Sequence, residues 1–208
     1  MATIINADTS DGLKLTSDTS GLIEFQSGGV TKAGVNATGL TGDGSQLTGL
    51  PAGGKILQVL QTVKTDTFST SSTSWVDWTG MSVTITPSSA TNKILVTLTG
   101  GVSNDTNNSF QYIKLVRGAT DIALGDAVAS VTRCWIDGAF GTLSSFGMAQ
   151  KSVTGSFLDS PATTSATTYK LQVIRTVNGT AYFGRSADTL DANRSSIPSV
   201  LTVMEVAG

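Results

Sequence analysis

Read for the alternation of apolar and polar residues, the chain changes character once, near Gly54. Residues 1–34 offer only short extended pieces: Ile4-Ile5, Gly12-Leu13-Lys14-Leu15 and Gly21-Leu22-Ile23-Glu24-Phe25. Each carries two or three apolar side chains, too few to bury in one chain, and an isolated hairpin of that size is marginal in water. Residues 35–54, VNATGLTGDGSQLTGLPAGG, are spaced by glycines that permit positive φ and close backbone approach. With only Leu40, Leu47 and Leu50 to bury, this stretch suits several identical chains lying against one another around those leucines.

From Lys55 onward strand follows strand. Ile56–Val63 is a short apolar run, and Met81, Val83 and Ile85 alternate with Ser82, Thr84 and Thr86 until Pro87. Lys93–Thr99, Phe110–Arg117, Asp121–Leu124, Tyr169–Val173, Ala181–Phe183 and Val200–Val206 carry similar patterns. Gly118-Ala119-Thr120 and Asn178-Gly179 read as hairpin turns. Leu124, Ala127, Val128 and Val131 fall at helical spacing behind a capping Asp126, so a short helix is an alternative there. The β-favouring residues Val, Thr, Cys, Trp and Ile make strand the reading adopted for Val131–Ile136. Many short strands and no long helical pattern predict an antiparallel sandwich or barrel. If ten strands alternate strictly up and down, loops 64–74, 103–109, 159–167 and 186–198 fall at the end opposite Lys55. Turns 88–92, 118–120 and 178–179 then fall at the Lys55 end, with the C-terminus.

Composition reinforces the β reading. Only 13% of the 208 residues are charged, about half the usual share, and Thr, Ser, Gly and Asn supply the polarity. The net charge of -2 and the lack of a basic run leave no electrostatic footprint for nucleic acid. No apolar stretch reaches the length of a membrane-spanning helix, and Met1–Ser10 lacks the pattern of a secretory signal. These features predict a chain made in a cytoplasm, with no membrane insertion. Five Asn-x-Ser/Thr triplets, at Asn36, Asn104, Asn107, Asn178 and Asn193, then reflect composition rather than glycosylation.

Candidate chemistry is sparse. The absence of histidine removes the commonest general base and metal ligand. The lone Cys134 excludes an intrachain disulfide framework and reads as a small buried hydrophobe. Gly42-x-Gly44 lacks the third glycine of a dinucleotide loop, and no Lys-Ser/Thr comes after it as a phosphate loop requires. Lys151-Ser152 matches no Ser–Lys motif. Asp188 with Asp191 is the nearest approach to a carboxylate pair for glycan cleavage. Asn104-Asp105-Thr106-Asn107-Asn108 clusters oxygens without calcium-loop spacing and reads as an Asx-rich turn. Trp75 and Trp78, three apart, point to opposite faces of a regular strand, which favours core or subunit packing over a stacking platform. The expectation is a protein that is not an enzyme and uses no metal or cofactor.

Gly42-Asp43-Gly44-Ser45-Gln46-Leu47-Thr48-Gly49-Leu50-Pro51 resembles the G-x-G-S-x-L-T-G-L linker of fibre and appendage proteins of tailed bacteriophages, particularly marine and cyanobacterial ones. The ending Leu201-Thr202-Val203-Met204-Glu205-Val206 is similar to the close of their head domains. The resemblance implies a homotrimer: an intertwined N-terminal stalk (1–34) anchored to other virion proteins, a Gly-rich collar (35–54) with Leu40, Leu47 and Leu50 on the axis, and a jelly-roll-like antiparallel β-sandwich head (55–208). It implies a virion structural protein, with the head contacting a host surface glycan or protein. Its outward loops nominate Asn104, Asp105, Asn107, Asn108, Asp188, Asp191, Asn193 and Arg194 for that contact. The chain is short for a main tail fibre, so a head fibre or capsid decoration trimer is the alternative. A secreted trimer of tumour-necrosis-factor style would need a signal sequence.

Overall fold

The computed structural model describes residues 23–27, 29–36, 39–42, 55–106, 109–138, 149–176, 178–189, 192 and 194–208. These residues form fourteen strands and no helix. The chain divides into two units, Met1–Pro51 and Ala52–Gly208. In the first unit, β1 (Ile23–Ser27), β2 (Val30–Asn36) and β3 (Gly39–Gly42) make an antiparallel sheet in that order. β2 runs across the expected boundary at residues 34/35, so the segments read as stalk and collar share one sheet. Leu40 lies in β3, opposite Val35 of β2. Leu47 and Leu50, like Ile4-Ile5 and Gly12–Leu15, lie outside the described residues.

The second unit holds β4 (Ile56–Lys64), β5 (Phe68–Thr70), β6 (Val76–Ile85), β7 (Lys93–Asn104), β8 (Gln111–Arg117) and β9 (Thr120–Ile122). It continues with β10 (Ile136–Asp137), β11 (Lys151–Asp159), β12 (Thr167–Arg175), β13 (Ala181–Phe183) and β14 (Ser199–Val206). All pairings are antiparallel, and three pairs of strands are halves of one interrupted strand. β14 and β13 lie end to end along β7, with Val200 opposite Thr99 and Phe183 opposite Val102. β4 pairs along β14 and β5 along β13, so β4 and β5 also lie end to end. On the other sheet, β9 and β10 share one edge of β8, with Ile122 opposite Leu115 and Ile136 opposite Ile113.

Joined in this way, one sheet runs β4/β5, β13/β14, β7, β11 and the other β6, β12, β8, β9/β10. Taken in chain order, the eight composite strands occupy positions 1-8-3-6 in the first sheet and 2-7-4-5 in the second. That order is the topology of a jelly roll. The expected all-β antiparallel sandwich, with a jelly-roll head, is the fold observed.

Alternation explains both the sheets and their packing. β12 buries Tyr169, Leu171 and Val173 and turns Lys170, Gln172 and Ile174 outward. β6 buries Met81, Val83 and Ile85 after a register shift around Gly80, which holds φ +86°. Trp78, Phe183 and Phe68 stack through the middle of the sandwich, with ring centroids 4.5 and 5.9 Å apart. Trp78 is buried, whereas Trp75 lies just before β6, where the Lys114 ammonium sits 4.6 Å above its ring. The two indoles do face opposite ways. Trp135 packs at the margin of the core. Cys134 is half-buried rather than fully enclosed, and burial together with nearby Asp137 pushes its thiol up.

Strict up-and-down alternation fails in two places. Val131–Ile136 is not a strand: only Ile136–Asp137 pairs, and Val131 closes a turn onto Val128. No helix forms there either. Residues 123–135 leave the edge of β8 and return to it, so β10 runs in the same direction as β9. β11, β12 and β13 are therefore reversed relative to expectation: loop 159–167 lies at the Lys55 end and turn 178–179 at the opposite end. Asn178-Gly179 is also no hairpin, because β12 and β13 belong to different sheets. Gly179 takes the positive φ such a turn needs, +102°, but the partner strand is supplied elsewhere. The second departure, β13 and β14 running the same way, restores the original parity, so the C-terminus ends beside Lys55 as expected. Loop 64–74 also contains β5, which continues β4 upward.

Buried polar residues close the Lys55 end. Glu205 is 1% exposed, and its carboxylate accepts from Gln58 Nε2 (2.6 Å), Asn92 Nδ2 (2.6 Å), Ser88 N (2.6 Å) and Ser88 Oγ (2.7 Å). Burial works against its charge, but the hydrogen bonds from Asn92, Gln58 and Ser88 prevail and bring it down to about 2. Asp159 of β11 accepts from Arg117 Nη1 at 2.8 and 2.9 Å and from Tyr169 Oη at 2.6 Å, tying one sheet to the other.

Candidate functional site

Loop 103–109 lies at the end of the sandwich opposite Lys55, and the 184–198 connection leaves the sheet partway along β7, between Phe183 opposite Val102 and Val200 opposite Thr99. Asp105, just past β7, receives the Thr180 amide (2.7 Å) and the Thr106 hydroxyl (3.0 Å) on Oδ1, and the Tyr182 hydroxyl (3.2 Å) on Oδ2. Partial burial opposes its charge, but the hydrogen bonds, led by the Thr180 amide, lower its affinity for a proton overall. Its carboxylate is committed to clamping the 178–180 crossover onto β7. Asn104 is fully buried and accepts the Thr106 amide at 3.3 Å, so it is no part of an exposed contact surface. Asn107 and Asn108 lie outside the described residues. Their neighbours Ser109 and Gln111 are fully buried as well, which makes the core polar at this end.

Beside the clamp, residues 184–186 pair back against residues 195–197. Arg185 bridges Ser196, Ser186 N donates to Ser195 O (2.9 Å), and Ile197 N donates to Gly184 O (3.0 Å). A cleft of about 260 Å³ opens here, lined by Thr67, Arg185, Ser186, Asp188, Thr189, Arg194, Ser195 and Ser196. Two of the nominated residues, Asp188 and Arg194, face each other in it, with Nε and Oδ2 3.7 Å apart. Asp191 and Asn193 lie outside the described residues.

Tyr182 joins the clamp to the cleft. Its hydroxyl reaches Asp105, and the Arg185 guanidinium lies 4.1 Å over its ring. Arg185 Nη1 donates to the Ser186 (2.9 Å) and Ala187 (3.2 Å) carbonyls, which fixes the guanidinium as part of the wall. Two arginines against one aspartate leave the cleft one positive charge in excess, among hydroxyls from five Ser and Thr residues. Arginine forks suit carboxylate or phosphate oxygens, and hydroxyls suit other hydroxyls. The arrangement can hold a polar, hydroxyl-rich or acidic group by hydrogen bonding. Among the described residues, no cluster of three or more His, Cys, Asp or Glu is placed to hold a metal ion.

Arg185, Tyr182 and Thr67 were not nominated from sequence. Tyr182 and Arg185, an aromatic and a guanidinium three residues apart beyond a turn, were the available signal. Thr67 offered none, because only the sheet order brings the β4–β5 connection beside residue 185.

No protein-family model matches the chain, and no curated protein does. Among solved structures, it is similar to a mutant VP2 protein of infectious bursal disease virus in derived T=1 particles, with 10% identity over 73% of this chain and a TM-score of 0.37. It is likewise similar to a structure of the infectious bursal disease virus Gx strain, with 11% identity over 75% and a TM-score of 0.39. The chain spans 36% and 39% of the length of those chains. At such distances the likeness carries no argument about what this protein does.

Proposed function

We propose that this chain is a virion structural protein, a homotrimeric fibre or appendage of a tailed bacteriophage whose head contacts the host surface. The observation that carries the reading is a complete jelly roll (55–208) placed after the glycine-spaced linker that resembles phage fibre collars. A fold does not fix a function, and jelly rolls serve capsids, lectins and enzymes alike. The linker is what directs the choice. In this reading Leu40, Leu47 and Leu50 lie on the trimer axis, and residues 1–34 attach the protein to other virion proteins. The cleft of Arg185, Asp188 and Arg194 takes a host surface glycan weakly, and three copies supply avidity.

Quantifying this protein in purified virions tests the role. Tens of copies or fewer support an appendage; hundreds indicate a head fibre or capsid decoration protein; absence from the virion overturns the reading. Host-cell binding by the full chain, compared with Arg194→Ala, tests the contact. Unchanged binding by that variant would remove the cleft from it.

A further inference from the structure

The outward face of the β4–β14–β7–β11 sheet is uncharged in three successive cross-strand rows. Val59, Met204, Leu95 and Leu158 form one row; Gln61, Thr202, Thr97 and Ser156 the next; Val63, Val200, Thr99 and Thr154 the third. Val59, Val63 and Leu158 are 54%, 50% and 48% exposed. Among the described residues no strand pairs with the outer side of β4, which also exposes Ile56, Leu57 and Leu60. Between Lys55 and Lys64 it carries no charge and no proline. An edge of this kind lacks the usual protection against pairing and calls for a cover.

We infer that this face and the adjoining β4 edge are the contact between copies of this chain. The inference rests on the homotrimer of the proposed function and assigns its surface in the head. The missing charge favours a second copy. A face with no charge holds no electrostatic selector for a foreign partner, and it meets the equally uncharged 56–63 edge of another copy without like-charge repulsion. Threefold contacts are heterologous and need two different patches on each copy; the sheet face and the β4 edge are two adjoining ones. Four strands about 4.8 Å apart and six residues long at about 3.4 Å each make a face on the order of 400 Å². A stable pair uses about 800 Å² per partner, so the face without the edge is too small.

The test uses the full chain carrying Cys134→Ser and one new cysteine, Val59→Cys or Leu158→Cys on this face, or Ser82→Cys on the other sheet's outward face. Solution mass and the rate of maleimide labelling are measured together. The expected result is an oligomer in which positions 59 and 158 label severalfold more slowly than 82, with equal rates after denaturation. The double variant Val59→Lys, Leu158→Lys should also lower the concentration-dependent mass while keeping the β circular-dichroism spectrum. An oligomer that labels equally at all three positions overturns this surface and leaves the homotrimer standing. A monomer overturns both.

Discussion

β14 and β12 are neighbouring lessons in the same alternation. Inward they are interchangeable: Leu201 and Val203 on one, Tyr169, Leu171 and Val173 on the other, all fully buried. Outward they diverge. β14 presents Val200, Thr202 and Met204, whereas β12 presents Thr168, Lys170, Gln172 and Ile174. On the β12 sheet, the outward polar groups are paired with one another. Lys170 Nζ donates to Asp77 at 2.9 Å, Gln172 Nε2 to the same carboxylate at 2.8 Å, Lys114 to Asp121 at 2.9 Å, and the Thr84 and Thr168 hydroxyls meet at 2.8 Å. A self-satisfied polar face is finished in water. An uncharged face of the same geometry that exposes Val59, Val63 and Leu158 is finished only against something else, and this difference separates a solvent surface from an interface.

The comparison can be broken from its inside. Trp78→Ala empties the layer both sheets share, and a cost of about 3–5 kcal/mol is expected in chemical denaturation. A loss below about 1 kcal/mol would mean that the sheets do not depend on a common core. Asp159→Ala removes the link from β11 to Tyr169 and leaves Arg117 without its carboxylate. About 2–3 kcal/mol should be lost, discounted from a fully buried pair because Arg117 is 28% exposed.

Glu205 sharpens the comparison along the pH axis. Its folded value of about 2 lies below its ordinary 4.5. The unfolded chain therefore binds more protons as pH falls, and the stabilisation is complete above about pH 5 and lost progressively toward about pH 2. Glu205→Gln should flatten the denaturation midpoint across that window; an unchanged acid slope would place the titrating group elsewhere. The smallest effect belongs to the charged outer face. Asp77 is 55% exposed, so Asp77→Ala should cost less than about 1 kcal/mol and respond to salt. A loss as large as that of Asp159→Ala would mean the β12 face is a covered interface too.

The alternations at Met81–Ile85 and Tyr169–Val173 were legible in the sequence as half-buried strands, and both strands formed. Gly118-Ala119-Thr120 was legible as a hairpin because the strands on either side pair with each other. Asn178-Gly179 carried as good a turn signal and joins two sheets instead, since a turn sets local backbone direction and not the partner of the next strand. Of the nominated surface residues, Asp188 and Arg194 share a cleft, while Asn104 is buried because β7 extends further than its apolar run suggested. Arg185 and Tyr182 entered the site only through the register of β13 on β7.

The sequence by itself determined that the chain is β, where most strands lie and which side chains point inward. Those are properties of neighbouring residues, set by a period of two and by turn chemistry. Only the tertiary structure decided the composite strands, the order of the two sheets, and which outward face stays uncharged. Strand partners are chosen among segments distant in the chain, and no local pattern records that choice. The glycine-spaced linker marks where the chain changes character; long-range pairing alone made the strands beyond it a jelly roll.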